Sequence, residues 1–186
     1  VEEATKAFCW TFERPNQSDG NSSMSERISR AQKYYKEFQG KEKPSTDSRI
    51  GQINLKGENA EKMSQMLTEA LRIADDDRYY YDQGKRWGEY TYDCSSFVYR
   101  LYKQYFGIIL GETTRGDYTS AATEIITDMN ANNFQPGDVL WRSEHVGIYI
   151  GNGQYVHASG KDNGITVSTY NPASSTPFTK AFRYVK

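Results

Sequence analysis

Apolar residues in this chain recur with helical spacing through its middle and switch to alternation from Phe134 onward. That switch constrains the fold more than any single residue. A stripe of period 3.6 buries one side of a helix, whereas a period of two buries one face of a sheet. Met63, Met66, Leu67, Ala70, Leu71 and Ala74 predict a helix over about 59–74. Phe97, Val98, Leu101, Tyr102 and Tyr105 predict another from Cys94 to Phe106, with Gly107 as its terminator. Ala121, Ile125, Ile126 and Met129 predict a third helix within 117–133, facing inward. Strands are expected near 139–141, 146–150, 155–158, 165–168 and 181–185, parted by Gly, Asn and Pro turns. Helices followed by antiparallel strands make an α+β domain.

The remainder of the chain divides around that core. Residues 1–39 carry two helical stretches about a polar break at 15–23; in the second, Ser25 caps a stripe of Ile28, Ala31, Tyr34, Tyr35 and Phe38. Residues 40–53 read as a charged linker with Pro and Ser, which leaves 54–186 as the main domain. The stretch 79–92, with Gly84, Trp87 and Gly88, reads as a loop. Asp75, Asp76 and Asp77 are expected in a solvated turn, their spacing being too close for a metal site. The chain opens at Val1 rather than Met, as expected of a fragment or a processed product, and shows no basic-then-apolar signal segment.

Composition excludes several functions. With 23 basic and 24 acidic residues among 186, the chain has no field that favours nucleic acid or an acidic membrane surface. No window approaches 18 consecutive apolar residues, so no membrane-spanning helix is expected. The cysteines are two, Cys9 and Cys94, and a disulfide between them would consume the thiol of greatest interest.

That thiol opens the second predicted helix in the run Tyr92-Asp93-Cys94-Ser95-Ser96-Phe97. The chain has only two histidines, His145 and His157, and both fall in predicted strands beyond it. A thiolate is favoured at a helix N-terminus, a neighbouring imidazole can take its proton, and a third polar group can hold that imidazole in one tautomer. These roles suit Cys94, His145 and His157 in turn. On a strand, His145, Gly147 and Tyr149 share one face, and His157 shares its own with Tyr155 and Ser159. A three-residue turn at 151–153 brings the imidazoles to one face, at about 7–8 Å between backbones. A two-residue Asn152-Gly153 turn alone sets them on opposite faces. The catalytic reading therefore requires the three-residue turn or a bulge that restores the register. Two blander readings stay open: a small buried cysteine with ordinary histidines, or a zinc site, although the spacing fits no common finger and lacks a fourth ligand.

The motifs resemble those of the NlpC-type cell-wall peptidases, permuted papain-like cysteine peptidases. Asp93-Cys94-Ser95-Ser96-Phe97, Pro136-Gly137-Asp138, the run from His145 to Gly151, and His157-Ala158 follow that family's order, over roughly 59–186. The resemblance implies N-terminal helices packed on a five- to six-stranded antiparallel sheet. It also implies Cys94 as nucleophile, His145 as base and His157 as orienting residue, with no cofactor or metal. Tyr81, with Tyr80 as the alternative, enters an oxyanion or substrate-binding set with Asp93 and Ser95. The segment from Tyr81 to Gly88 is similar to the family's phage-lysin branch, which also tolerates Ser96 in place of glycine.

The substrate so implied is the stem peptide of bacterial peptidoglycan, cut between D-glutamate and a diamino acid. Cleavage of the amide between muramic acid and L-alanine is the alternative. Residues 1–39 resemble the end of a phage tail lysozyme-like domain, which implies an upstream lysozyme-like domain or tail components as partners. The implied location is the cell wall, the extracellular space or a phage particle. Two non-enzymatic classes stand beside this reading, a wall-peptide-binding module and a structural tail module. Trp87, Trp141 and Tyr149 are candidate groove walls and equally candidates for the core.

Overall fold

In the computed structural model, which describes residues 47–186, the helix α1 (Gly57–Ala74) turns Met63, Met66, Leu67, Ala70 and Leu71 inward. A second helix, α2 (Cys94–Phe106), buries Phe97, Val98, Leu101 and Tyr102. Its start is fixed by a capping box. The Asp93 carboxylate accepts from the Ser96 N–H at 2.7 Å, and the Asp93 N–H donates to Ser96 Oγ at 2.9 Å. Such a cap contributes about 1 kcal/mol and sets the helix entry at one residue. Gly107 ends the helix in the left-handed conformation.

The described residues hold eight short strands, of which the last five were expected: β1 (Tyr80–Tyr81), β2 (Thr91–Tyr92), β3 (Glu124–Ile126), β4 (Val139–Arg142), β5 (His145–Gly151), β6 (Gln154–Gly160), β7 (Gly164–Thr169) and β8 (Lys180–Arg183). The last six form one antiparallel sheet in the order β3-β8-β4-β5-β6-β7. Val139, Val146, Ile148, Ile150, Val156 and Ala158 join the core shared with the two helices. A second cluster of Ile126, Phe134, Leu140, Tyr149, Tyr170, Phe178 and Ala181 is built from the other side chains of the same strands and the loops around them. The sheet is thus packed on both faces.

The β5–β6 turn decides which face each histidine takes. Gly151 pairs with Gln154, so Asn152 and Gly153 make a two-residue turn, with φ of 54° and 70°. Positive φ at both positions is the type I′ geometry, which glycine adopts without strain. Tyr149 nevertheless pairs with Tyr155 and Ile148 with Val156, which leaves Ile150 as an extra residue on β5. This bulge restores the register that sets Gly147 opposite His157, the second of the two solutions the sequence allowed.

Three expectations are corrected. The stretch 117–133 contains no α-helix; it supplies the edge strand β3 and a single 3-10 turn at Ala131–Asn133. Ile125 and Ile126 point to opposite sides, Ile126 buried and Ile125 exposed, because β3 is captured by β8 through Glu124↔Arg183 and Ile126↔Ala181. Within 79–92, read as a loop, β1 and β2 form a two-residue parallel ladder. Residues 47–53, read as the end of a linker, lie against the domain: Ile50 is buried, the Gly51 N–H donates to the Ile150 carbonyl at 2.7 Å, and Arg49 bridges Asp47 and Asp75. The predictions for 1–39, and for Cys9, lie outside the described residues.

A buried ion pair ties β8 to the residue just before β4. Arg183 on β8 donates from Nε to Asp138 Oδ1 at 2.9 Å and from Nη2 to Oδ2 at 2.7 Å. Asp138 is 1% exposed, so removing Arg183 strips a buried carboxylate of its partner, and removing Asp138 leaves Arg183 with only the more exposed Glu124 at 2.8 Å. Asp138→Ala is expected to lower the unfolding free energy by about 3–5 kcal/mol in urea titrations.

Candidate active site

Cys94 is the first residue of α2, and its sulfur lies against the backbone on both sides of His145. The thiol is 4.0 Å from the Glu144 carbonyl oxygen, and the Val146 N–H lies near enough to favour a thiolate there. Glu144 has a positive φ of 69°, which turns the chain sharply just before β5. No hydrogen bond joins the sulfur to the His145 ring in this arrangement, among the described residues. Catalytic contacts of this kind are commonly long before substrate binds and close by side-chain rotation.

The two imidazoles meet directly. His145 Nε2 and His157 Nδ1 are 2.6 Å apart, with the rings edge-to-face at 81°. Gly147 lies between them along β5. A Cβ there would sit 3.1 Å from His157 Cβ and 2.8 Å from the Tyr155 ring, so the missing side chain leaves room for the diagonal contact. With His145 Nε2 engaged by His157, Nδ1 is the ring nitrogen left to face a thiol.

Burial dominates the electrostatics. It pushes His145 down to about 4, helped by the positive charge of Arg142. His157 goes to about 3, again chiefly through burial, with His145 and Arg142 adding to it. The Cys94 thiol is pushed up by burial, against the opposing N–H groups of Val146, Ser95 and its own backbone. This corrects the expectation of a lowered thiol: the helix start supplies N–H groups, but desolvation of the sulfur outweighs them. At neutral pH the group is a neutral thiol with two neutral imidazoles.

The sulfur opens onto a cleft of about 610 Å³ lined by Tyr81, Gln83, Arg86, Thr114, Arg115 and Glu144, among others. That volume suits a ligand the size of a short peptide. Tyr81 lies in this lining, as its sequence position predicted, and burial raises its phenol. Asp93 and Ser95 also reach the cleft, but their polar atoms are already engaged. Asp93 Oδ1 accepts from Ser95 Oγ at 3.0 Å and from the Ser96 N–H, while Oδ2 accepts from Arg86 Nη1 at 3.1 Å. Both are buried and chiefly hold the helix start.

Trp87, Trp141 and Tyr149 are not among the cleft-lining residues. Tyr149 belongs to the second core cluster, Trp87 is exposed, and Trp141 donates to the Thr114 carbonyl at 3.0 Å. Sequence reasoning passed over Arg86 within the Tyr81–Gly88 motif and missed the Thr113–Arg115 wall, because no periodicity or motif marks that loop, which is brought in by tertiary contacts. Gly111 and Gly116 offered the one signal. Their backbones touch where a Cβ on either would collide, so the loop closes on itself.

Residues 77–183 match the NlpC/P60 family. The chain belongs to that family. Among its relatives, the murein DD-endopeptidase MepS/murein LD-carboxypeptidase of Escherichia coli K12 is 40% identical over 84 residues, 42% of this chain and 42% of that protein. A probable endopeptidase p60 of Listeria seeligeri is 37% identical over 83 residues, 42% of this chain and 14% of that protein. The chain therefore spans less than half the length of these relatives. In three dimensions, NlpC2 from Trichomonas vaginalis superposes with a TM-score of 0.51 at 24% identity, over 72% of this chain and 49% of that one. An NLP/P60 family protein similar to lipoprotein, from Staphylococcus aureus, superposes with a TM-score of 0.51 at 19% identity, over 100% of this chain and 62% of that one. These NlpC/P60 structures share the papain-like helix-and-sheet fold.

Two pH responses follow from the neutral resting state. Alkylation of Cys94 by iodoacetamide, followed by peptide mass, is expected to be slow at pH 7 and to accelerate only as the raised thiol ionises in alkali; a fast plateau reaching down to pH 5 would instead mark a standing thiolate–imidazolium pair. The second response is in stability. Unfolded histidine takes up its proton near 6.5, whereas the folded pair resists until about 4 and about 3. Between those values the unfolded state binds more protons, so stability is lost as pH falls below about 6.5. The drop in Tm from pH 7 to pH 5 should be larger in the wild type than in a His145→Gln/His157→Gln variant.

Proposed function

We propose that this NlpC/P60 domain is a cysteine peptidase of bacterial peptidoglycan, with Cys94 as nucleophile, His145 as base and His157 as orienting residue. The observation that carries the reading is the 2.6 Å contact between the two imidazoles, beside a thiol that opens onto a cleft of peptide size. The names of the relatives, murein DD-endopeptidase and LD-carboxypeptidase in one case and probable endopeptidase in the other, support a wall-peptide amide as the substrate. The preferred bond is that between D-glutamate and the diamino acid.

The chemistry starts from neutral partners, so proton transfer accompanies attack. The sulfur swings from the Glu144 carbonyl toward His145 Nδ1, gives up its proton there, and bonds to the substrate carbonyl carbon. The oxyanion is met by the Cys94 N–H and the Tyr81 hydroxyl. Collapse of this intermediate breaks the C–N bond, and the leaving amine takes the proton from His145. Water then attacks the thioester, yielding its proton to His145 and thence to the departing sulfur. The product is a free carboxylate.

Residues 1–39, which precede the charged stretch 40–46 in the sequence, extend the proposal to the parent protein. Their likeness to the end of a phage tail lysozyme-like domain supports a two-activity lysin that acts at the cell wall. Mass analysis of digested wall fragments tests the substrate. A new amine on lysine or diaminopimelate is expected, and it should be absent with Cys94→Ala. A new amine on L-alanine would make the enzyme an amidase, and a cut between two D-residues would match the name of the E. coli relative. Equal digestion by wild type and Cys94→Ala would overturn the nucleophile.

A further inference from the structure

The second ring nitrogen of His157 is also engaged, by a residue no motif singles out. His157 Nε2 lies 2.9 Å from Ser168 Oγ on β7. The register accounts for the contact. Tyr155 stands opposite Ser168 and His157 opposite Thr166, so Ser168 is one diagonal step from His157 on the same face of the sheet. Tyr155 completes the group, with its ring centroid 4.6 Å from that of His157. Burial pushes the Tyr155 phenol up, and a hydrogen bond from Ser168 works against that rise.

We propose that Ser168 is a positioning residue that fixes the tautomer of His157 and, through it, that of His145. The inference rests on the Cys94–His145–His157 reading above. Each neutral imidazole carries one N–H, so each contact in the row has one donor and one acceptor. When the Ser168 hydroxyl oxygen accepts in its 2.9 Å contact, His157 carries its proton on Nε2. His157 Nδ1 is then an acceptor, so the contact at 2.6 Å requires His145 to donate from Nε2. His145 Nδ1 is thereby left with its lone pair, the state that a base facing a thiol needs. Reversing the row puts the proton on His145 Nδ1 and removes the base. Ser168 thus selects between two proton arrangements of the same heavy atoms.

The test uses the small number of histidines. With two in the whole chain, a 15N-histidine-labelled protein yields signals from only two rings. At pH 7 both rings are expected with Nε2 protonated and Nδ1 unprotonated. Ser168→Thr keeps the hydroxyl and should keep this pattern; Ser168→Val has the same shape without the hydroxyl and should move His157 toward mixed tautomers. In wall digestion, Ser168→Val is expected to lose about tenfold in kcat, the size of effect one hydrogen bond commands, with KM unchanged. Ser168→Thr should recover that loss. Ser168→Ala serves as the second hydroxyl-free variant if valine disturbs the strand. The proposal is overturned if either wild-type ring carries its proton on Nδ1, or if a folded hydroxyl-free variant leaves both tautomers unchanged. Because the tautomer readout needs no substrate, it separates this outcome from a failure of the peptidase reading.

Discussion

The site depends on β5 serving two environments at once. Val146, Ile148 and Ile150 are fully buried in the core shared with α1 and α2, while His145, Gly147 and Tyr149 alternate with them. Packing α2 onto this strand brings its first residue to the start of β5, which is why a thiol and an imidazole far apart in sequence become neighbours. The strand's apolar half holds the helix, and its polar half then has one position to occupy. A one-residue slip would exchange the two halves. The bulge at Ile150 reconciles this demand with the tight Asn152-Gly153 turn.

Burial, rather than charge, sets the chemical character of the cluster. The imidazoles are depressed and the thiol raised because each is withdrawn from water. Three ion pairs hold charges in or near the interior. Arg183 meets Asp138 in the interior and Glu124 toward the edge, and Arg86 meets Asp93 under the cleft. The Arg86–Asp93 pair matters most to the thiol, since a bare carboxylate one residue away would disfavour a thiolate further.

Much of this was legible in the residues. The helices at 59–74 and Cys94–Phe106 follow from their 3.6-residue stripes, and the five strands after Phe134 from the switch to a period of two between Gly, Asn and Pro turns. The cysteine and the two histidines stood out because they are few and sit at element starts or on one strand face. What the residues concealed depends on distant partners. Ile125 and Ile126 fit a helical stripe as well as a strand, and only pairing with Phe182 and Ala181 on β8 decides between them. Ser168 is one serine among many until β7 is registered against β6. The direction of the thiol shift needed the depth of burial, which a helix start does not disclose.

The loop from Gly111 to Tyr118 has one more consequence. Its ends meet at the touching glycine backbones, the Tyr118 hydroxyl donates to the Gly111 carbonyl at 3.1 Å, and its middle is tied to Trp141. A closed excursion of this form can change in length or content at small entropic expense, since its two feet stay where they are. The part of the rim carrying Thr113, Thr114 and Arg115 is therefore an exchangeable module on a fixed chassis, whose replacement need not disturb Cys94 at the helix start.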